Sequence, residues 1–122
     1  MKSATELQMP PDLRKVLDEA VDRIVEIANP QAVILFGSHA EGRSHPHSDF
    51  DFVVIVDSER TREIEGDLYG ALAELARDRW DDVPPMDIIV MTPQDWAYHV
   101  QLPGLLCFRI HRHGVVLHGQ AA

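Results

Sequence analysis

The chain reads as a small α/β (α+β) domain, a mixed β-sheet with helices packed on it. Two apolar runs, residues 32–36 and 50–56, are joined by a short polar connection. That length favours antiparallel neighbours. A full helical pattern separates the second run from a third, residues 86–91. Such a connection favours a parallel, right-handed crossover.

In chain order, residues 1–11 read as a flexible arm ending at Pro10-Pro11, and residues 12–122 as a single domain. Asp12 can cap a helix over 12–28, because Leu13, Leu17, Ala20, Ile24 and Ile27 recur at helical spacing. Asn29-Pro30 stops it. Residues 32–36 are apolar on both faces, hence a buried strand. Gly37 breaks that strand, Ser38 to Gly42 can form one helical turn, and Arg43 to Ser48 is a polar loop. The second strand covers 50–56. Ile64, Leu68, Leu72, Leu75 and Ala76 mark a helix over about 60–79, which Asp81-Asp82 and Pro84-Pro85 end. Met86 to Met91 forms a third strand. Thr92-Pro93-Gln94-Asp95 starts a helix with a cap residue, a proline at the first position and an acid in the first turn. Pro103-Gly104 interrupts it. A short helix over 104–111 and a last strand over 115–117 follow.

Bulk properties narrow the function. A length of 122 residues suits one domain with a real core, and 45% hydrophobic residues exclude disorder. The formal charge of −9 argues against extensive nucleic-acid binding, whose affinity comes from Lys and Arg. A protein partner or a small metal-chelated substrate is easier to accommodate. The single cysteine, Cys107, lies in an apolar stretch and reads as a buried small hydrophobe. One cysteine forms no intrachain disulfide, which fits a reducing, cytoplasmic setting. Neither a signal peptide nor a membrane span is expected.

Gly37-Ser38, ten residues, then Asp49-Phe50-Asp51 is the pattern that carries chemistry. Asp49 and Asp51 are two apart at a strand start, so both side chains point to one face. Like charges that close need a positive partner. A hard divalent cation such as Mg²⁺ fits, bound by carboxylates, phosphates and water. Gly37 permits close backbone approach. The Ser38 hydroxyl and the N–H groups of a helix start can hold a phosphate. Taken singly, each half has an ordinary explanation. An isolated Asp-x-Asp is commonly a solvated strand edge, and Ser38-x-x-Glu41 is also a capping box. Topology joins the halves. The end of the first strand and the starts of the second and third should lie at one sheet end. That adds Asp87 as a third ligand of a two-metal site, or as a base for an attacking hydroxyl.

Other candidates are weaker. Asp57 closes its strand at the opposite sheet end, and Asp81 and Asp82 read as solvated helix-terminal acids. His45 and His47 precede the aspartates in a polar loop and are expected to be solvated. His111 and His113 show no ligand spacing with a partner, and Trp80 and Trp96 are expected to pack.

Together, GSHAEGRSHPHSDFD and MDIIV resemble the DNA polymerase β-like nucleotidyltransferase superfamily, and within it the minimal (MNT) branch. The resemblance runs from about residue 12 to 118. It implies the polymerase β-like fold and transfer of AMP from ATP to a hydroxyl. By position, Asp49, Asp51 and Asp87 would be catalytic and hold Mg²⁺, two ions with nucleotide bound. Gly37 and Ser38 would hold the β and γ phosphates, with Arg43 nearby. Many minimal members are similar to antitoxins paired with a HEPN-type toxin, to which they add AMP. That implies a toxin protein as partner and acceptor. Two other readings stand beside it: an antitoxin acting by contact, and a small-molecule nucleotidyltransferase, which usually carries an added acceptor domain. The chain departs from many relatives in having His39 and Glu41 where Arg is common.

Overall fold

Strand directions follow connection lengths. A computed structural model describes residues 1–45, 48–77, 79 and 83–121. Its strands are β1 (Lys2–Ser3), β2 (Ala32–Phe36), β3 (Phe50–Ile55), β4 (Met86–Met91) and β5 (Val115–Gly119). Its helices are α1 (Pro11–Ala28), α2 (Thr61–Arg77), α3 (Pro93–His99) and α4 (Leu106–His113). The sheet order is β1-β5-β2-β3-β4. As the sequence predicts, β2 and β3 pair antiparallel, and β3 and β4 pair parallel across the α2 crossover. β5 returns antiparallel to β2. The result is the mixed α+β sheet expected of the polymerase β-like fold.

Helices cover both faces of the sheet. Val33, Leu35, Phe50, Phe52, Val54 and Ile88 pack with Val16, Leu17, Ala20 and Ile24 of α1 and Leu68 and Leu72 of α2. The alternate residues Ala32, Ile34, Val53 and Ile55 pack with Trp96 of α3 and Cys107 and Ile110 of α4. Fully burying such a side chain stabilises the fold by about 1.5–3 kcal/mol. Both faces of the central strands are thus apolar, and a charge can face this sheet only at its ends.

Helix ends differ in detail from the sequence reading. Pro11, not Asp12, opens α1, and Asp12 sits in its first turn. Asn29 ends α1 at φ +43°, its N–H bonded to the Val25 carbonyl. The expected helix over 60–79 is observed over Thr61–Arg77. Thr92 caps α3 by accepting from the Asp95 N–H at 3.1 Å. Gly104, at φ +89°, lies outside α4, which therefore begins at Leu106 rather than at 104.

The expected arm is partly ordered. Lys2–Ser3 runs parallel to β5, with the Lys2 N–H bonded to the Gly114 carbonyl at 2.9 Å. Ser3 and Glu6 then close a short 3-10 turn. Lys2 Nζ reaches the Ala40 carbonyl at 3.3 Å, which ties the N-terminus to the Gly37–Gly42 turn.

Candidate active site

Register places the carboxylates. Asp51 opposes Phe36 on one side and Asp87 on the other. Asp51 and Asp87 lie two residues before Val53 and Ile89, so they share the α3/α4 face of the sheet. Asp49 lies two residues before Asp51, just ahead of β3. Each of the three offers a carboxylate oxygen, and these oxygens lie within 4.8 Å of one another. Asp49 and Asp51 are half-buried and Asp87 is exposed.

Ionised together, these carboxylates repel one another. Two unit charges about 5 Å apart repel by roughly 3 kcal/mol at an effective dielectric of about 20. Burial pushes the Asp51 carboxyl above its ordinary value of 3.8, and the charges of Asp87 and Asp49 push it the same way. Among the described residues, the His39 charge pulls it down. Three oxygen donors, half open to solvent, are a set that could hold a hard divalent ion.

Gly37 shapes the same spot. Its φ of +81° favours glycine, and a Cβ there would overlap Asp51 Oδ2. The carboxylate occupies the space a side chain would fill. A single turn follows: the Glu41 N–H bonds the Gly37 carbonyl at 3.1 Å, and the Arg43 N–H bonds the Ser38 carbonyl at 2.9 Å. Gly42, at φ +72°, ends it.

A buried clamp holds the loop entering β3. The His39 ring is 5% exposed and sits edge-on to Phe50, centroids 5.0 Å apart. Its Nε2 lies 3.0 Å from the Ser48 carbonyl and must donate, since a carbonyl only accepts. Ser48 is 6% exposed, and its hydroxyl accepts from the His45 N–H at 2.9 Å. Asp49 therefore follows a residue fixed through both side chain and backbone.

A family model of the nucleotidyltransferase domain matches residues 13–103, three quarters of the chain. The chain belongs to the nucleotidyltransferase domain family. No curated protein matches it. Among solved structures, it is similar to one described as the crystal structure of the toxin-antitoxin with AMP-PNP. The TM-score is 0.55 at 19% identity, over 84% of this chain and 73% of that one. That likeness bears on the fold. No helix among the described residues is long and apolar enough to cross a membrane.

The nucleotidyltransferase domain brings most of the sequence candidates together. Asp49, Asp51 and Asp87 converge, Gly37 packs on Asp51, and Ser38 follows at the same sheet end. Arg43 lines a cavity of about 180 Å³ with Gly37, Glu41 and Arg109. Glu41 turns its carboxylate to Arg109 Nη2 at 2.5 Å, with Arg43 Nη2 at 3.5 Å. Asp57 follows β3 at the far sheet end, and Trp96 packs in the core beneath α3. His47, Trp80, Asp81 and Asp82 lie outside the described residues.

The roles of three residues are not legible in the sequence: His39 and Ser48, which bond each other ahead of Asp49, and Arg109. The signal for His39 was its place directly after Gly-Ser. A larger cavity, about 480 Å³, lies between α2 and the start of β4, lined by Tyr69, Leu72, Pro85 and Met86. Met86 alternates with Asp87, so this cavity belongs to the α1/α2 face, away from the carboxylates.

Proposed function

We propose that this domain transfers AMP from ATP to a hydroxyl of a protein partner, and that the partner is a HEPN-type toxin neutralised by the modification. The observation that carries the reading is the convergence of Asp49, Asp51 and Asp87 beside the Gly37-Ser38 turn. The family match supports nucleotidyl transfer. The toxin-antitoxin described with AMP-PNP supports ATP as donor and a toxin as acceptor. Net acidity, −9 over the sequence, suits a protein acceptor rather than a nucleic acid.

Asp49, Asp51 and Asp87 would hold Mg²⁺, which when bound supplies positive charge to the reacting phosphate and the leaving oxygen. Gly37 and Ser38 would seat the β and γ phosphates through backbone N–H groups and the hydroxyl, with Arg43 adding charge. A bond then forms between the acceptor oxygen and the α-phosphorus, and the α–β bridging P–O bond breaks. Pyrophosphate leaves. Asp87, the most exposed of the three, takes the hydroxyl proton and passes it to solvent.

Co-incubation with the product of the adjacent gene, Mg²⁺ and α-labelled ATP tests this. The expected result is label on the partner and a mass gain of one AMP, both lost in the double variant Asp49→Ala, Asp51→Ala. Labelling by the double variant contradicts the site. A wild type that neutralises its partner without labelling it contradicts transfer and favours an antitoxin acting by contact.

A further inference from the structure

Arg109 brings positive charge to the phosphate-binding turn from outside the Gly-Ser…Asp-x-Asp motif. It projects from α4, on the sheet face that carries the three aspartates, and lines one cavity with Gly37, Glu41 and Arg43. Its guanidinium forks onto Glu41, Nη2 to Oε1 at 2.5 Å and Nε to Oε2 at 3.3 Å. Arg43 approaches the same carboxylate at 3.5 Å. The bond to Arg109 holds Glu41 below the usual carboxylate range, against partial burial, with the charges of Arg43 and His113 adding to it.

Two guanidiniums meeting one carboxylate is also the geometry by which arginines grip a phosphate. The convergence runs against the bulk charge of −9. The Arg109 side chain is 58% exposed and so open to a ligand, although that of Glu41 is 14% exposed. A triphosphate seated on the Gly37-Ser38 turn carries more negative charge than Glu41 and offers the same forked acceptor.

We propose that Arg109 is a triphosphate-binding residue, and that Glu41 occupies its guanidinium as an internal substitute for phosphate until a nucleoside triphosphate arrives. This rests on the nucleotidyl-transfer reading of the same site. It gives Glu41, a departure from many relatives, a role: it keeps the arginine ordered at the cavity rim.

Calorimetric titration of the full chain with MgATP and with AMP tests the proposal. Arg109→Ala is expected to weaken MgATP about tenfold or more, the scale of a lost charge-assisted hydrogen bond. It should leave AMP affinity and the melting temperature unchanged. Glu41→Gln should tighten MgATP, because Arg109 then has no carboxylate to leave. Equal MgATP affinity in wild type and Arg109→Ala overturns the proposal. So does an equal loss for MgATP and AMP, which marks a structural effect. Weaker MgATP binding in Glu41→Gln overturns the substitute role. A wild type that binds no MgATP overturns the nucleotidyl-transfer reading itself.

Discussion

Gly37 and Asp51 are in such close contact that a single added carbon on the glycine would occupy the position of Asp51 Oδ2. The Gly37-Ser38 turn and the carboxylate cluster are therefore in direct contact, and a side chain at Gly37 would displace Asp51. Gly37→Ala is expected to destabilise the protein by at least about 1 kcal/mol through its positive φ alone. Its larger effect should fall on Asp51, displaced from Asp49 and Asp87. Thermal unfolding and MgATP titration check this. Unchanged nucleotide affinity in Gly37→Ala would separate the two halves.

Asp51 predicts a pH dependence in metal-free protein. Burial first, then Asp87 and Asp49, raises its pKa in the folded state above 3.8. The folded chain then binds the proton more tightly than the unfolded one, so stability falls as pH rises from 3.8 through the raised value. Above that value the full penalty applies. Asp51→Asn is expected to melt higher than wild type at pH 7 in chelator, with the difference vanishing below about pH 3.8. Added Mg²⁺ should stabilise wild type and leave the variant unmoved. A variant that melts lower than wild type at neutral pH, without metal, would contradict the cluster's repulsion.

His39 is expected to act on the site through Ser48. His39→Ala removes a buried ring and leaves the Ser48 carbonyl without its donor, at a cost of about 2–3 kcal/mol. It should also weaken Mg²⁺ binding, because Asp49 follows Ser48 directly. His39→Gln, which retains an N–H donor, is expected to recover part of the metal affinity. Equal metal affinity in wild type and His39→Ala would show the clamp to be purely structural.

Tyr69 provides the converse. Its hydroxyl accepts from the Ile88 N–H at 2.9 Å along the edge strand β4, on the α1/α2 side of the sheet. Tyr69→Phe leaves that N–H without this partner and should cost about 1–2 kcal/mol in denaturant unfolding. Nucleotide affinity should be unchanged, because the aspartates face the other side. A loss of affinity comparable to that of Gly37→Ala would break the assignment of faces.

The parts of the molecule legible in the sequence are those set by local pattern. Apolar runs marked β2, β3 and β4, and the lengths of their connections dictated their directions. Those directions alone brought Asp87 to Asp51, thirty-six residues earlier in the chain. Lys2–Ser3 escaped notice because two exposed polar residues carry no hydrophobic signal, and backbone bonds hold them to β5. Arg109 and Glu41 are 68 residues apart, and an ion pair across that distance leaves no periodicity to read. In the sequence His39 stands out only as a residue where many relatives carry Arg. Only the fold shows Phe50 beneath its ring and the Ser48 carbonyl at its nitrogen.

Asp49, Asp51 and Asp87 are proposed to form a divalent-cation site for nucleotide. Mn²⁺ added to the protein with ATP, followed by the electron paramagnetic resonance of the free ion, tests it most directly. Wild type is expected to take up more ion than ATP alone binds, and the Asp49→Ala, Asp51→Ala variant no excess. Equal uptake by wild type and variant, or no excess in wild type, would contradict it.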